Sequence, residues 1–230
     1  MAADLAGAAR APGSPDMSNV VIGVLGGTGD QGRGLARRLS MAGHRVIIGS
    51  RSADRAAAAA AELGGGFDCG LNDYCAAEAD LVIAAIPWEG HKELLTQLAD
   101  PLAGKIVIDC VNPLGFDSHG AYPISVPEGS AAQQAAAVLP GSTVVGAFHH
   151  VSAQLLLDPE VDSMDLDVLV LSDDRAATDL VIAIAGEIPG MRGVYGGRLR
   201  NCGQVEALTA NLVSINRRYK AHAGIRITDV

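Results

Sequence analysis

Residues 20–34 read VVIGVLGGTGDQGRG, a short apolar run that breaks into Gly27-Thr28-Gly29-Asp30-Gln31-Gly32. A GxGxxG array is common by chance, but this one sits after a strand-like run, and Leu35, Ala36 and Leu39 follow it at helical spacing. A strand that feeds through such a turn directly into a helix is the first βα unit of a dinucleotide-binding sheet, and few other folds use it. In this reading Gly27 makes the tight turn and Gly29 lets the backbone approach a pyrophosphate. Gly32 lets helix and strand pack closely. With Thr28, Asp30 and Gln31 completing the turn, the helix N-terminus is aimed at the phosphates.

The rest of the chain repeats the same alternation. Strands are predicted over 20–25, 45–49, 80–85, 105–109, 143–147 and 167–171, with a weaker one at 193–195 and a short one at 66–69. Helices are predicted over 33–42, 53–63, 89–99 and 130–139, and a longer one over 203–221. Gly43 and the Gly64-Gly65-Gly66 run stop the first two helices, and Ser130 is a good N-cap. Strands that are apolar throughout are covered on both faces. The expected fold is therefore α/β: a Rossmann-type, doubly wound, mostly parallel sheet with a small C-terminal α/β portion. An eight-fold barrel would need about 250 residues, and the pattern after Gly141 reads as irregular.

The net charge of −9 argues against nucleic acid or an anionic membrane as a partner. The four cysteines form no CxxC pair, so no metal site is expected. No signal-peptide core and no membrane-length apolar run is seen, which predicts a cytoplasmic protein. Residues 1–18 are small, polar and interrupted by Pro and Gly. They read as a disordered tail, with Met17 a possible alternative start.

The second strand ends in Ser50-Arg51, with Arg55 one helical turn on. A site for NAD usually carries an Asp or Glu here to bind the ribose 2′-hydroxyl. A missing carboxylate and a present guanidinium favour a 2′-phosphate, hence NADP. Ligands in open α/β sheets lie beyond the carboxyl ends of the strands. Three such ends are equipped: Ile86-Pro87-Trp88, Asn112-Pro113, and His149-His150-Val151. No Tyr-x-x-x-Lys arrangement exists, because Tyr74, Tyr122, Tyr195 and Tyr219 all lack a Lys four residues on. Reduction of a carbonyl needs a proton donor of that kind, whereas exchange of hydride between two redox cofactors relies chiefly on positioning. The residues lean towards a cofactor-to-cofactor reductase. The alternatives are an NADPH-dependent flavin or ferric reductase and a non-catalytic NADP-binding redox sensor.

Taken together, GVLGGTGDQGRGLARRL, GHRVIIGSRSADRA, AAIPWEGH, IVIDCVNPL, LPGSTVVGAFHHVSA and QVEALTANLVSINRRYK resemble the F420-dependent NADP reductases. The resemblance runs from about Val20 to Ile227. It implies reversible hydride transfer between NADP(H) and the deazaflavin coenzyme F420 by a homodimer. It assigns Thr28, Ser50, Arg51 and Arg55 to the NADP phosphates and adenosine, and Ile86 and Pro87 to the nicotinamide. Asn112, Pro113, His149 and Val151 fall in the deazaflavin pocket, and Thr209 near the redox centre. His149 and Thr209 are the candidate catalytic residues. The anionic tail of F420 calls for cations, with Arg198, Arg200, Arg217, Arg218 and Lys220 as candidates. The family stretch AFHxxPA reads AFHHVSA here, and VESLT reads VEALT, with Ala207 in place of the hydroxyl. The expected organisation is a tail over 1–18, an NADP-binding domain over 19–153 and a smaller domain over 154–230 that completes the deazaflavin site.

Overall fold

The structure is a computed structural model that describes residues 20–230. The expectations for residues 1–18 lie outside the described residues. From Val20 the chain alternates strands and helices: β1 (Val21–Leu25), α1 (Asp30–Met41), β2 (Arg45–Ser50), α2 (Ala53–Glu62), β3 (Asp68–Leu71), α3 (Asn72–Glu78) and β4 (Leu81–Ala84). Two short helices, α4 (His91–Gln97) and α5 (Ala99–Leu102), lead to β5 (Ile106–Asp109). A hairpin of β6 (Leu114–Asp117) and β7 (Gly120–Pro123) precedes α6 (Ala131–Val138), β8 (Thr143–Gly146) and α7 (Ala153–Leu157). The chain then runs through β9 (Leu166–Leu171), α8 (Arg175–Gly186) and β10 (Met191–Gly197) to α9 (Cys202–Tyr219).

Eight strands form one sheet in the order β10-β9-β8-β5-β4-β1-β2-β3. The chain winds outward from β1 to β3, then returns to the other side of β1 to lay down β4, β5 and β8 in parallel. This reversal leaves a crevice between the carboxyl ends of β1 and β4, where open α/β sheets bind ligands. Alternation of side chains divides the core in two. Ile22, Val24, Leu81 and Ile83 pack with Leu35 and Leu39 of α1 and with α2, α7 and α8. Val21, Leu25, Val82 and Ala84 pack on the opposite face with α3, α4, α5, α6 and α9. The doubly wound sheet is thus the predicted one.

Several details differ from the sequence reading. The region after Gly141 is regular: β9, α8 and β10 continue the alternation, and β10 spans seven residues where three are expected. What breaks the pattern there is direction, since β9 runs antiparallel to β8. The helix expected over 89–99 starts only at His91, because Gly90 is left-handed at φ 92°. It divides at Leu98 into α4 and α5, where Pro101 has no N–H for the helical ladder. The short third strand lies at 68–71 and not 66–69, because Gly64, Gly65 and Gly66 all have positive φ. The β6–β7 hairpin and α3 carry no clear periodicity in the sequence.

Candidate functional site

The turn after β1 is built by backbone crowding. Gly26 has φ +68°, and a Cβ there would meet the Ala85 carbonyl oxygen at 2.5 Å. The left-handed turn is therefore made at Gly26, one residue before the predicted Gly27. Gly27 is required for a different reason: a Cβ would lie 2.9 Å from the Val24 carbonyl oxygen and 3.0 Å from Ile48 Cγ2. Gly32 has the predicted packing role, since its Cβ would sit 2.8 Å from both the Gly26 oxygen and Gly27 Cα. Gly29 is the exception, with its one neighbour at 3.6 Å, so this side of the turn is open. Gly29 is also the N-cap of α1, with no side chain capping the helix, and the first helical bond is Arg33 N–H to the Gly29 oxygen. The N–H groups of Asp30, Gln31 and Gly32 at the helix start have no partner within the helix.

A cleft of 740 Å³ runs from this turn across the ends of β2, β4 and β5. Thr28, Gly29, Asp30 and Gln31 line one wall, and Ser50, Arg51 and Arg55 line the β2 end. Ile86, Pro87, Asn112, His149, Val151 and Thr209 line the remainder. Of the predicted site residues, Gly27, Gly32 and Pro113 lie outside the lining. The first two act within the turn itself.

The charges divide unequally. Asp30 and Glu62 both pair with Arg33, at 2.8 and 2.6 Å. Arg51 and Arg55 are exposed and have no ion-pair partner among the described residues. Two guanidinium groups are thereby free at the end of β2. Ser52 caps α2 by accepting from Arg55 N–H, which anchors Arg55 in the first turn, and Ser50 is buried beneath.

At the far end of the cleft the backbone after β8 makes a sharp reversal. Phe148 holds φ +63°, which for a side-chain-bearing residue costs about 1–2 kcal/mol. Three side chains hold this segment, two from helices and one from the loop after β5. Gln31 Nε2 of α1 donates to the Phe148 oxygen at 3.2 Å. Asn112 Nδ2 donates to the His149 oxygen at 2.7 Å, and Thr209 Oγ1 of α9 donates to the same oxygen at 3.3 Å.

The reversal decides where His149 points. Its ring is fully buried, makes no hydrogen bond, and comes no closer than 3.9 Å to Glu206 Oε1. It is packed beside Gly146 near Cys202, beneath the cleft. Burial holds its pKa down at about 4, with the neighbouring charge of Asp109 pulling the other way. His150 is buried too and is likewise held down at about 4. Both rings are therefore neutral at neutral pH, and neither meets solvent.

A polar cluster below the cleft was not legible in the sequence. His91 bridges Asp109 Oδ2 at 2.7 Å and Gln134 Oε1 at 3.0 Å, with its side chain and that of Asp109 fully buried. Both partners present acceptor oxygens, an arrangement that suits the charged, doubly donating ring. Burial disfavours that form, but the hydrogen bond and charge of Asp109 outweigh it and raise the His91 pKa. Glu206 of α9 accepts from the Ala131 and Ala132 N–H groups at the start of α6, at 2.9 and 3.2 Å. Burial pushes its carboxyl up to about 7, against those two hydrogen bonds, and the charge of Asp109 adds to the rise. Asn72 was also missed: it lines the cleft, and its Oδ1 accepts from Gly26 N–H at 3.4 Å. An Asp ending an otherwise apolar strand, IVID, was the one available signal for the cluster.

Fold and cleft together define a Rossmann-type dinucleotide-binding protein, with its ligand crevice at the β1/β4 switch point. Residues 21–113 match the family model described as NADP oxidoreductase coenzyme F420-dependent. Over 221 residues the chain is 38% identical to the F420-dependent NADP reductase of Methanothermobacter thermautotrophicus, covering 91% of this chain and 95% of that one. The enzyme of the same name from Methanocaldococcus jannaschii is 37% identical over 222 residues, covering 91% and 98%. A crystal structure described as a putative F420-dependent NADP reductase from Arthrobacter sp. FB24 superposes with a TM-score of 0.79 at 28% identity, covering 91% of this chain and 100% of that one. The chain belongs to the F420-dependent NADP reductase family.

Proposed function

We propose that the protein catalyses reversible hydride transfer between NADP(H) and coenzyme F420. The observation that carries this reading is a single cleft with guanidinium groups unpaired among the described residues at one end and a mixed apolar and amide lining at the other. Uncapped N–H groups at the start of α1 and the open side of Gly29 suit a pyrophosphate. Arg51, Arg55 and Ser50 suit the 2′-phosphate, and Ile86 with Pro87 suits the nicotinamide ring. Asn112, Val151 and Thr209 would then receive the deazaflavin, with Pro113 behind the lining.

When bound, the two cofactors supply the hydride donor and acceptor carbons. The chain's part is to bind, orient and exclude water. Thr209 and Asn112 act by fixing the His149 carbonyl between them. We assign His149 itself to shaping the pocket floor, because its ring nitrogens are buried without a partner and burial holds the ring in the neutral form at neutral pH.

A homodimer is part of the proposal. It is supported by exposed apolar residues on the hairpin and α9, with Phe116 69% and Tyr219 73% exposed. A cytoplasmic location is supported by four free cysteines, as expected where thiols stay reduced. Among the described residues no helix is long and apolar enough to cross a membrane.

The deciding assay mixes the protein with NADPH and oxidised F420 and follows the loss of F420 visible absorption, with FMN as the comparison. Bleaching of F420 and not of FMN is expected. Tight NADPH binding with no turnover of F420 would leave the redox-sensor reading in its place.

A further inference from the structure

We propose that the side chain of Gln31 is a positioning residue for the second half of the cleft and not a ligand of the dinucleotide. This rests on reading the cleft as a two-cofactor site.

Gln31 belongs to the glycine-rich turn, in the first turn of α1, and lines the cleft. Its side chain bonds within the protein, to the Phe148 oxygen at 3.2 Å. A carbonyl only accepts, so the amide NH₂ must face it, and that donor is taken up within the protein. The same oxygen receives the Val151 N–H at 3.3 Å, closing the reversal that carries His149 and Val151. Phe148 is one of three side-chain-bearing residues with positive φ among the described residues, and the only one that is fully buried. A backbone held in a sparsely populated region persists only where its surroundings fix it. Here Gln31 fixes the first carbonyl of the reversal, while Asn112 and Thr209 fix the next.

The same helix holds the following segment at a second place. Arg38, buried in α1, donates to the carbonyls of Leu155, Leu156, Asp158 and Val161. Helix α1 therefore presents N–H groups to one half of the cleft and sets the backbone of the other half. Gln31 is the contact between the two that lies nearest the cleft.

The test replaces Gln31 with Met, which keeps length and bulk but has no donor. Gln31→Lys serves as the rescue, because it restores a donor at similar reach. Three readouts are taken: NADPH Kd by fluorescence titration, KM and kcat for F420, and hydrogen exchange of the 149–151 amides. For Gln31→Met the expected result is a KM for F420 raised about ten-fold, the size of one lost hydrogen bond. NADPH Kd should stay within about two-fold, and the 149–151 amides should exchange faster than in the parent. Gln31→Lys should recover most of the KM change and the exchange protection.

A weakened NADPH Kd with unchanged F420 KM would make Gln31 a dinucleotide ligand and overturn the proposal. So would unchanged exchange at 149–151. Should the parent protein fail to turn over F420, the function proposed above falls, while exchange and NADPH affinity still decide whether Gln31 holds this segment.

Discussion

Replacing Arg51 with Ala should convert a preference for NADPH into a much weaker one while leaving NADH binding alone. Arg51 is exposed and, among the described residues, unpaired. Removing it therefore breaks no internal contact, and the loss reads directly as lost binding. A hydrogen bond to a charged group contributes about 1.5–3 kcal/mol. Because this end of the cleft is open to water and salt, the lower part of that range applies, about 1.5–2 kcal/mol. That corresponds to NADPH binding about 12–30-fold weaker. Arg55 remains one helical turn away, so part of the preference survives. Removing both arginines should cost more than either alone and, since they share one phosphate, need not be additive. NADH lacks the 2′-phosphate and should change by no more than about two-fold. The assay is fluorescence titration of both nucleotides at low and high salt, with the NADPH advantage shrinking as salt rises. Equal weakening of NADH and NADPH would refute the reasoning, because it would mean that Arg51 holds the shared adenosine and not the phosphate.

Four further outcomes follow from the structure. Gly29→Ala should leave the melting temperature unchanged, because the added Cβ makes only an ordinary contact with the Gly26 oxygen at 3.6 Å, yet weaken NADPH about ten-fold or more by entering the phosphate's approach. Gly32→Ala should instead destabilise the fold by about 1–3 kcal/mol by urea unfolding, since its Cβ would strike backbone at 2.8 Å. Arg38→Met should cost about 3–5 kcal/mol by the same measurement, as a buried cation bonded to four carbonyls is removed and their oxygens are left unpaired. Acid sensitivity has a defined sign. His149 and His150, held down at about 4, contribute stability that is present above their unfolded value and lost as pH falls from about 6.5 towards 4. Glu206, held up at about 7, takes its proton earlier in the folded state and opposes them in the same window. The net slope should be that of one group, about 1.4 kcal/mol per pH unit. His150→Leu should remove most of it, and an unchanged slope in urea unfolding between pH 6.5 and 4.5 would contradict the assignment.

The parts of this protein legible in the sequence are those whose causes are local. The turn from β1 into α1 is written in consecutive glycines, and Arg51 with Arg55 follows from one strand end and one helix start. The alternation of apolar strands and helices gave the sheet class without reference to any distant contact. What was not legible depends on residues far apart in the chain. Asp109 meets His91 across 18 residues, and Glu206 meets Ala131 across 75. The direction of the His149 ring turns on a positive φ at Phe148, and nothing in a Phe codon position announces such a backbone. For the same reason the tight turn was assigned to Gly27 when Gly26 makes it, since only the Ala85 carbonyl, 59 residues on, distinguishes the two.

The antiparallel joint in the sheet has a consequence for how the molecule comes apart. Each parallel pair is stitched over at least four residues, but β8 faces β9 only where Gly146 meets Leu171. The ladder that makes six strands open as one is nearly severed at that line. Past it, β9, α8 and β10 are held to the rest by side-chain packing, by Ser172 Oγ on the Val144 oxygen, and by little backbone pairing. Such a seam separates two cooperative units within one continuous sheet. Native-state hydrogen exchange should resolve them, with β9, α8 and β10 opening together at lower free energy than β1, β4 and β5. A single shared opening energy would show that the packing across the seam is as strong as the bonds it lacks.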